Sequence, residues 1–558
     1  MTLRSLAPNG GKASGGVEIW RCCRCTIAGQ AGRSMHTFAT AALREGLWCS
    51  FSQLPLPLAH EVLIKCPYAT IYIHKVETFF FHVSSLLYAS MVSPLVILCV
   101  TLTLLLLFFF QNRRTINNKS FPPGPRGLPI IGNLHQLDGS TLYLQLWQLS
   151  KKYGPLFSLQ LGLKPAIVVS SPKLAKEVMK DNDLECCGRP QLIGQQKLSY
   201  NGLEMIFSPY GDLWREIRKI CIVHVLSSRR VSRFSSIRQF EVKQMIRKIS
   251  RHASSSKVTN LNEVLMCLTS TIICRTAFGR RYEDEGTERS KFHGMLNECQ
   301  AMMSTLFFSD YIPFLGWIDK LTGLHARLQR TFKDLDEFYQ QVIDEHMDPK
   351  RKTPENEDFI DVLFQLKKQR SFSLDLTDDH IKGVLMDMIV AATDTTAATT
   401  VWAMTALLKN PRVMKKVQEE IRSSGAPLLV QRETNEPCIL DGYEIPAKTI
   451  VYINAWAIHR DPKVWKDPEE FLPERFLDNS VDFRGQHFEL IPFGAGRRIC
   501  PGMPMAIASL DLILANLLNS FDWELPPGMR KEDIDTEMLQ GITQHKKNPL
   551  FVLAKCRI

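Results

Sequence analysis

Among its 15 cysteines the chain has no repeated C-x-x-C pair, and its 558 residues hold no run of five basic residues. The first absence excludes a disulfide framework and a zinc-ribbon site, and the scattered thiols fit a reducing compartment. The second, together with the lack of any nucleic-acid module, leaves no nucleic-acid partner to account for a formal net charge of +11. That charge remains for an anionic membrane surface or an acidic protein partner. What the chain does have is ample apolar content, 45% hydrophobic against 22% charged, enough for a large core.

The first apolar run able to cross a bilayer is Met91 to Phe110, which carries no charge. Twenty residues at 1.5 Å rise span roughly 30 Å, the hydrocarbon thickness. Arg113, Arg114 and Lys119 follow at once, and basic residues on that flank place the rest of the chain in the cytosol. Then comes the proline-rich stretch Phe121-Pro122-Pro123-Gly124-Pro125-Arg126-Gly127-Leu128-Pro129, a stiff hinge because proline restricts both its own φ and its predecessor. Residues 1–90 do not fit this plan. Their eight Lys/Arg against four Glu are compatible with an organelle transit peptide. The alternative we prefer is upstream sequence, because Met91 opens the apolar run directly. The expected organisation is therefore an unmatched extension (1–90), a transmembrane anchor (91–110), a basic flank and hinge (111–129) and one large domain (130–558). That domain is mainly helical, with β-like runs at Leu156 to Leu161, Ala166 to Ser170 and Thr449 to Ile453.

The most informative residue is Cys500, in Phe493-Gly494-Ala495-Gly496-Arg497-Arg498-Ile499-Cys500-Pro501-Gly502. A thiolate in a glycine-rich turn gains backbone N–H donors, and glycine lets the chain approach a flat ligand closely. The pattern Phe-x-x-Gly-x-Arg-x-Cys-x-Gly resembles the haem-binding loop of the cytochrome P-450 family. The resemblance implies the fold of that family, mainly α with small β-sheets. It also implies that Cys500 is the metal ligand, the proximal thiolate of haem b, with Phe493, Gly496 and Arg498 shaping the cofactor loop.

Other segments match in the family's order. Trp214-Arg215-Glu216-Ile217-Arg218 places Trp214 and Arg218 on one helix face, suited to gripping the haem propionates, with Pro209-Tyr210-Gly211-Asp212 as turn and cap. Arg432, after Pro427-Leu428-Leu429, matches another arginine near a propionate. The longest helix is expected from about Asp378 to Leu408, capped by Thr377 and ended by Asn410-Pro411. In its middle, Ala391-Ala392-Thr393-Asp394-Thr395-Thr396 resembles the family's oxygen-activation segment. Thr395 matches the threonine that steadies bound dioxygen, and Asp394 the acid of the proton relay. Ala392 departs from the usual glycine. A structural helix whose threonines bond back to the i−4 carbonyl would read the same way.

One family element is missing. The family holds a few dozen more residues, including a Glu-x-x-Arg helix, before the Pro427 strand, yet here Ser423-Ser424-Gly425 runs directly into Ala426-Pro427. Glu419-Glu420-Ile421-Arg422 satisfies the pattern literally but belongs to the helix after Pro411. Arg475, in Pro473-Glu474-Arg475-Phe476, is then expected to lose its charge partners. Such a loss in a buried network costs about 3–5 kcal/mol of a total stability of about 5–15 kcal/mol. The resemblance is to plant A-type microsomal members, near the family-71 and family-83 group. It implies a single-pass endoplasmic-reticulum protein facing the cytosol, embedded in membrane lipid. Such a protein takes electrons from NADPH through a reductase and inserts one atom of O₂ into a small hydrophobic metabolite. The candidate pocket segments are Gln191 to Ile206 and Met302 to Phe308. Two other readings stay open: a haem-thiolate isomerase or dehydratase, and a non-catalytic product shortened at Gly425/Ala426 that cannot retain haem.

Overall fold

The computed structural model describes residues 98–104 and, with short breaks at 282–286, 352–356, 370–372, 420–428, 477–478, 540 and 542, residues 121–557. The whole 1–90 extension, most of the 91–110 run, the basic flank with Arg113, Arg114 and Lys119, the Glu420 to Arg422 part of the literal Glu-x-x-Arg match and the Gly425/Ala426 junction lie outside the described residues. The chain divides at Gln111/Asn112 into two units. In the first, residues 98–104 are helical and expose Leu98, Val100, Leu102 and Leu104.

The second unit is mainly helical with small sheets. Its principal elements are α1 (Leu142–Tyr153), β1 (Leu156–Leu161), β2 (Lys164–Val169), α2 (Asp212–Ile220), α3 (Ser235–Ser254), β3 (Thr259–Asn260), α4 (Leu261–Phe278), α5 (Leu324–Met347), α6 (Asp378–Lys409), α7 (Pro411–Glu419), β4 (Val430–Glu433), β5 (Cys438–Leu440), β6 (Tyr443–Ile445), β7 (Ile450–Ile453), α8 (Met503–Ser520), β8 (Phe521–Glu524), β9 (Met538–Leu539), β10 (His545–Lys546) and β11 (Phe551–Cys556).

The four-stranded sheet runs β1-β2-β7-β4. β1 and β2 pair antiparallel, whereas β2 and β7 run parallel with Ile167 opposite Val451. Ala166, Ile167, Val168 and Val169 are all buried, as a β-branched run covered on both faces should be. The proline-rich stretch is docked onto this sheet: Ser158 donates its N–H to Pro123 O at 2.8 Å and its hydroxyl to Pro122 O at 2.7 Å.

The long helix starts and stops where its sequence says. The Thr377 side chain accepts from His380 N in a capping box, Asp378 and Asp379 occupy the first turn, and Asn410 is the C-cap. It is buried nearly all round and packs most extensively on α4. Among the described residues, α4 and α8 are long and apolar enough to cross a membrane. Both contribute to the main hydrophobic core, which explains that composition.

Small strands were the elements least legible in sequence. β5, β6, β9 and β10 are only two or three residues long, too short to show a period, and β11 pairs with β8 and with the distant β3, a pairing that has no local signature. The cap expected before α2 also differs: Gly211 occupies the N-cap with extended backbone and no side-chain bond, while Asp212 is already in the helix and pairs with Arg215. The acidic pair Asp358 and Asp361 beside His346 is neutralised by Arg351, 2.8 Å from Asp358 and 2.5 Å from Asp361.

His459 couples the fold to pH. Its Nε2 accepts the Ile491 N–H at 2.9 Å, so the ring is held neutral; burial first, then Arg460, pull its pKa down to about 3. An unfolded histidine titrates near 6.5. This group's stabilising contribution is therefore complete above about pH 6.5 and is lost as pH falls toward 3. We expect a loss of about 1–2 kcal/mol between about pH 7 and pH 5, read from urea midpoints, and a flatter profile in His459→Gln.

Candidate functional site

The Cys500 loop is a compact turn held by its own backbone. Cys500 N–H bonds to Phe493 O at 2.9 Å, Ile499 N–H to Gly496 O at 3.0 Å, and Gly494 N–H to Ile491 O at 3.0 Å. The Phe493 ring lies edge-on to Phe483, with centroids 6.0 Å apart. Gly494 and Gly496 have φ of +70° and +67°, which side-chain-bearing residues rarely adopt. At Gly496 a Cβ would stand 2.1 Å from Met179 O. Burial pushes the Cys500 thiol up, while the N–H groups of Gly502 and Met503 and the Arg218 charge pull it down. Those N–H donors are what the glycine-rich turn was expected to supply.

Around this loop the structure gathers four of the arginines and the tryptophan picked out by motif and chain position, or lying beside them. Trp214 is buried, and its Nε1–H donates to Met205 O at 2.9 Å. Arg498 lies 4.3 Å from the Trp214 ring and Arg218 5.3 Å from it, so one indole takes two guanidiniums. Arg218 donates to Ile499 O at 2.6 Å, directly beside Cys500. Arg498 donates to Cys187 O, Met205 O and Ser208 O at 2.8, 3.2 and 2.7 Å. Arg432, 1% exposed, donates to Asp183 Oδ1 at 2.8 Å and to Ala495 O at 2.7 Å.

Two participants escaped the sequence reading. Asp183 sits in a turn with no motif around it, yet it takes both Arg432 and the Arg497 N–H, the latter at 2.9 Å. Arg189 donates to Ile206 O at 2.8 Å and to Gln431 O. Nothing local marks either residue; only the fold places them.

The electrostatics of this cluster are unbalanced. Arg189, Arg218, Arg432, Arg497 and Arg498 face the carboxylates Asp183 and Glu204. Burial, then repulsion from Arg498 and Arg432, lowers the Arg189 pKa to about 9. Burial, with Arg432 and Arg218 adding to it, lowers that of Arg498 to about 10. Arg432 Nε is buried with no hydrogen-bond partner. A concentration of buried cationic donors with one unsatisfied N–H is matched to an anionic ligand bearing more than one carboxylate. The donor set thus fits a haem held by Cys500.

The second predicted pair lies on α6. Asp394 is buried, whereas Ala391 and Thr395 are exposed, one turn apart in a helix buried on its other faces. That opening is where a ligand can meet the helix. The Thr395 hydroxyl donates to Ala391 O at 2.6 Å, the back-bonding geometry of a helical threonine. The two pocket segments meet each other: Gln195 donates to Met303 O at 3.4 Å, and a Cβ on Gly194 would lie 2.4 Å from Met302 O.

Arg475 differs in part from expectation. Its contacts are backbone carbonyls, of Leu472, Lys466, Asp467 and Glu470, at 2.9–3.1 Å. The carboxylate network is replaced by neutral acceptors, so the guanidinium is satisfied locally and the cost of an unpaired buried charge is avoided.

Comparison with known proteins agrees with this geometry. The family model described as Cytochrome P450 matches residues 122–425 and 423–553. A 6,7,8-trihydroxycoumarin synthase of Pastinaca sativa is 47% identical over 487 aligned positions, 80% of this chain and 95% of that protein. Cytochrome P450 71B34 of Arabidopsis thaliana is 44% identical over 496, 83% of this chain and 98% of the other. A zebrafish cytochrome P450 structure with abiraterone superposes with a TM-score of 0.61 at 24% identity, covering 75% of this chain and all of that one.

The loop geometry carries its own test. Gly496→Ala forces both a disfavoured φ and a clash with Met179 O. We expect a loss exceeding about 1 kcal/mol in chemical denaturation, with Gly528→Ala, which meets no neighbour within 4 Å, costing less.

Proposed function

Because the chain belongs to the cytochrome P450 family, and is an enzyme of that class by resemblance, we propose that it is a membrane-anchored monooxygenase of a small hydrophobic plant metabolite. The observation that carries this reading is the unbalanced guanidinium cluster around the Cys500 loop. Cys500 would ligate the iron of haem b. Trp214, Arg218, Arg432 and Arg498 would hold the propionates, and Phe493 and Gly496 would set the loop's approach to the ring. The bound haem supplies reductive activation of O₂. The chain's own residues do the rest: Thr395, exposed on the open side of α6, presents a hydroxyl there, and Asp394 behind it can hold or release a proton.

Electrons would come from NADPH through a membrane-bound reductase, to whose acidic face a net charge of +11 is suited. The charge-free run 91–110, with its exposed apolar helix at 98–104, supports a single-pass anchor in the endoplasmic reticulum and a cytosolic domain. Two relatives, the 6,7,8-trihydroxycoumarin synthase above and a 5-OH-xanthotoxin synthase of Pastinaca sativa, support an oxygenated aromatic metabolite as substrate class.

A second reading is favoured by one observation: the family match breaks into two pieces that meet at residues 423–425. Consistent with this, 80% of 558 residues is about 446, some 40 fewer than the 487 positions aligned to the synthase. A segment of a few dozen residues absent at Gly425/Ala426 would leave a product unable to retain haem.

The carbon-monoxide difference spectrum of the reduced chain, expressed from Met91 with the junction as it stands, separates the two. The Cys500 loop is tied by Arg432 and Asp183, not by the missing segment. We therefore expect the red-shifted Soret band of thiolate-ligated haem, abolished in Cys500→Ser. A band seen only after the missing codons are restored would establish the second reading, whereas a transcript that contains them would show that the junction is absent from the message and leave the monooxygenase reading to the restored chain.

A further inference from the structure

A buried carboxylate is expensive unless something compensates its charge. The Asp394 side chain is 4% exposed, in the middle of the longest core helix. Its partner is none of the residues named by motif. It is His545, 151 positions downstream on β10, whose Nε2 lies 2.8 Å from Asp394 Oδ2.

The contact is built rather than incidental. Trp402, two turns beyond Asp394 on the same helix, donates its indole N–H to Gln544 O at 2.9 Å. The residue before His545 is thus fastened to the helix that carries Asp394. On the other side, Lys546 is tied to Asp535 at 2.7 Å, and His545 itself pairs with Leu539 of β9. The nearby charges are already committed: Lys546 to Asp535, and Lys547 to Glu537 at 2.7 Å. Along α6 the next acid, Asp387, accepts the Met205 N–H at 2.8 Å. The imidazole is therefore the group that compensates Asp394. With its side chain 23% exposed against 4% for Asp394, it also reaches solvent where the carboxylate does not.

We propose that His545 is the positioning residue of Asp394: it aims the carboxyl group and maintains it as a carboxylate at the back of the open face of α6. Nε2 donates to Oδ2, and the partly exposed ring connects the buried carboxylate toward solvent. The value of this arrangement to oxygen chemistry rests on the monooxygenase reading, whereas the pairing itself does not.

The test is infrared difference spectroscopy of the full chain at neutral pH, with and without bound haem, using Asp394→Asn to identify the Asp394 carboxyl. In His545→Phe we expect the carbonyl stretch of one protonated carboxyl per chain to appear, and to be absent from the His545→Phe/Asp394→Asn double variant. His545→Gln, which keeps an N–H donor, should gain less of it and serves if the phenylalanine variant does not fold. Identical carboxyl spectra for the native chain and both histidine variants would overturn the proposal. A native chain without the thiolate-type carbon-monoxide band would overturn the monooxygenase reading alone, since the carboxyl comparison requires no haem.

Discussion

The guanidinium of Arg432 is the constraint on which the site depends. From a strand of the small sheet it reaches Asp183, in the turn after β2's flanking helices, and the carbonyl of Ala495, in the cysteine loop. Three segments far apart in sequence are fixed by one side chain that is 1% exposed. Asp183 extends the tie by accepting the Arg497 N–H. In so little solvent each of these charge-assisted bonds is strong, and losing one partner would strand the other. The loop that presents Cys500 is consequently held from outside, and its glycines are free to take the backbone conformations that a close approach demands.

The same arginines carry a cost that explains their purpose. Burial first, and repulsion among the gathered guanidiniums after it, hold Arg189 and Arg498 below the usual arginine range. A protein core has no reason to concentrate guanidiniums around an indole and leave Arg432 Nε unsatisfied. An acidic ligand relieves both strains at once. α6 poses the complementary problem: a carboxylate set into an apolar helix, answered by a histidine brought in on a C-terminal hairpin. The fold thus places a cation excess around the cysteine loop and, on α6, an acid paired to a histidine, both before any ligand arrives.

Arg475 shows how a guanidinium can be satisfied locally. Arg475 turns to four backbone carbonyls, which are numerous in an irregular loop and need no distant partner. The Cys500 loop does not draw its support from that arginine, so the break near 425 and the integrity of the loop are separable matters.

Much of the plan was legible in the chain because it is written locally. The cysteine loop, the Trp214–Arg218 spacing and the cap and stop of α6 are short-range patterns whose geometry follows from backbone sterics and helical periodicity. Strands β1 and β2 were equally clear from their apolar runs. Asp183, Arg189 and His545 were not legible, because each acquires its role from a partner tens or hundreds of residues away; nor were β5, β6, β9 and β10, which are too short to show a period, or the pairing of β11 with the distant β3. Sequence alone determined which residue types could bind a haem and relay a proton. Only the tertiary structure decided which carboxylate answers Arg432 and which base answers Asp394, because the pairing of buried charges is fixed by packing distance, and packing distance is not a local property of the chain.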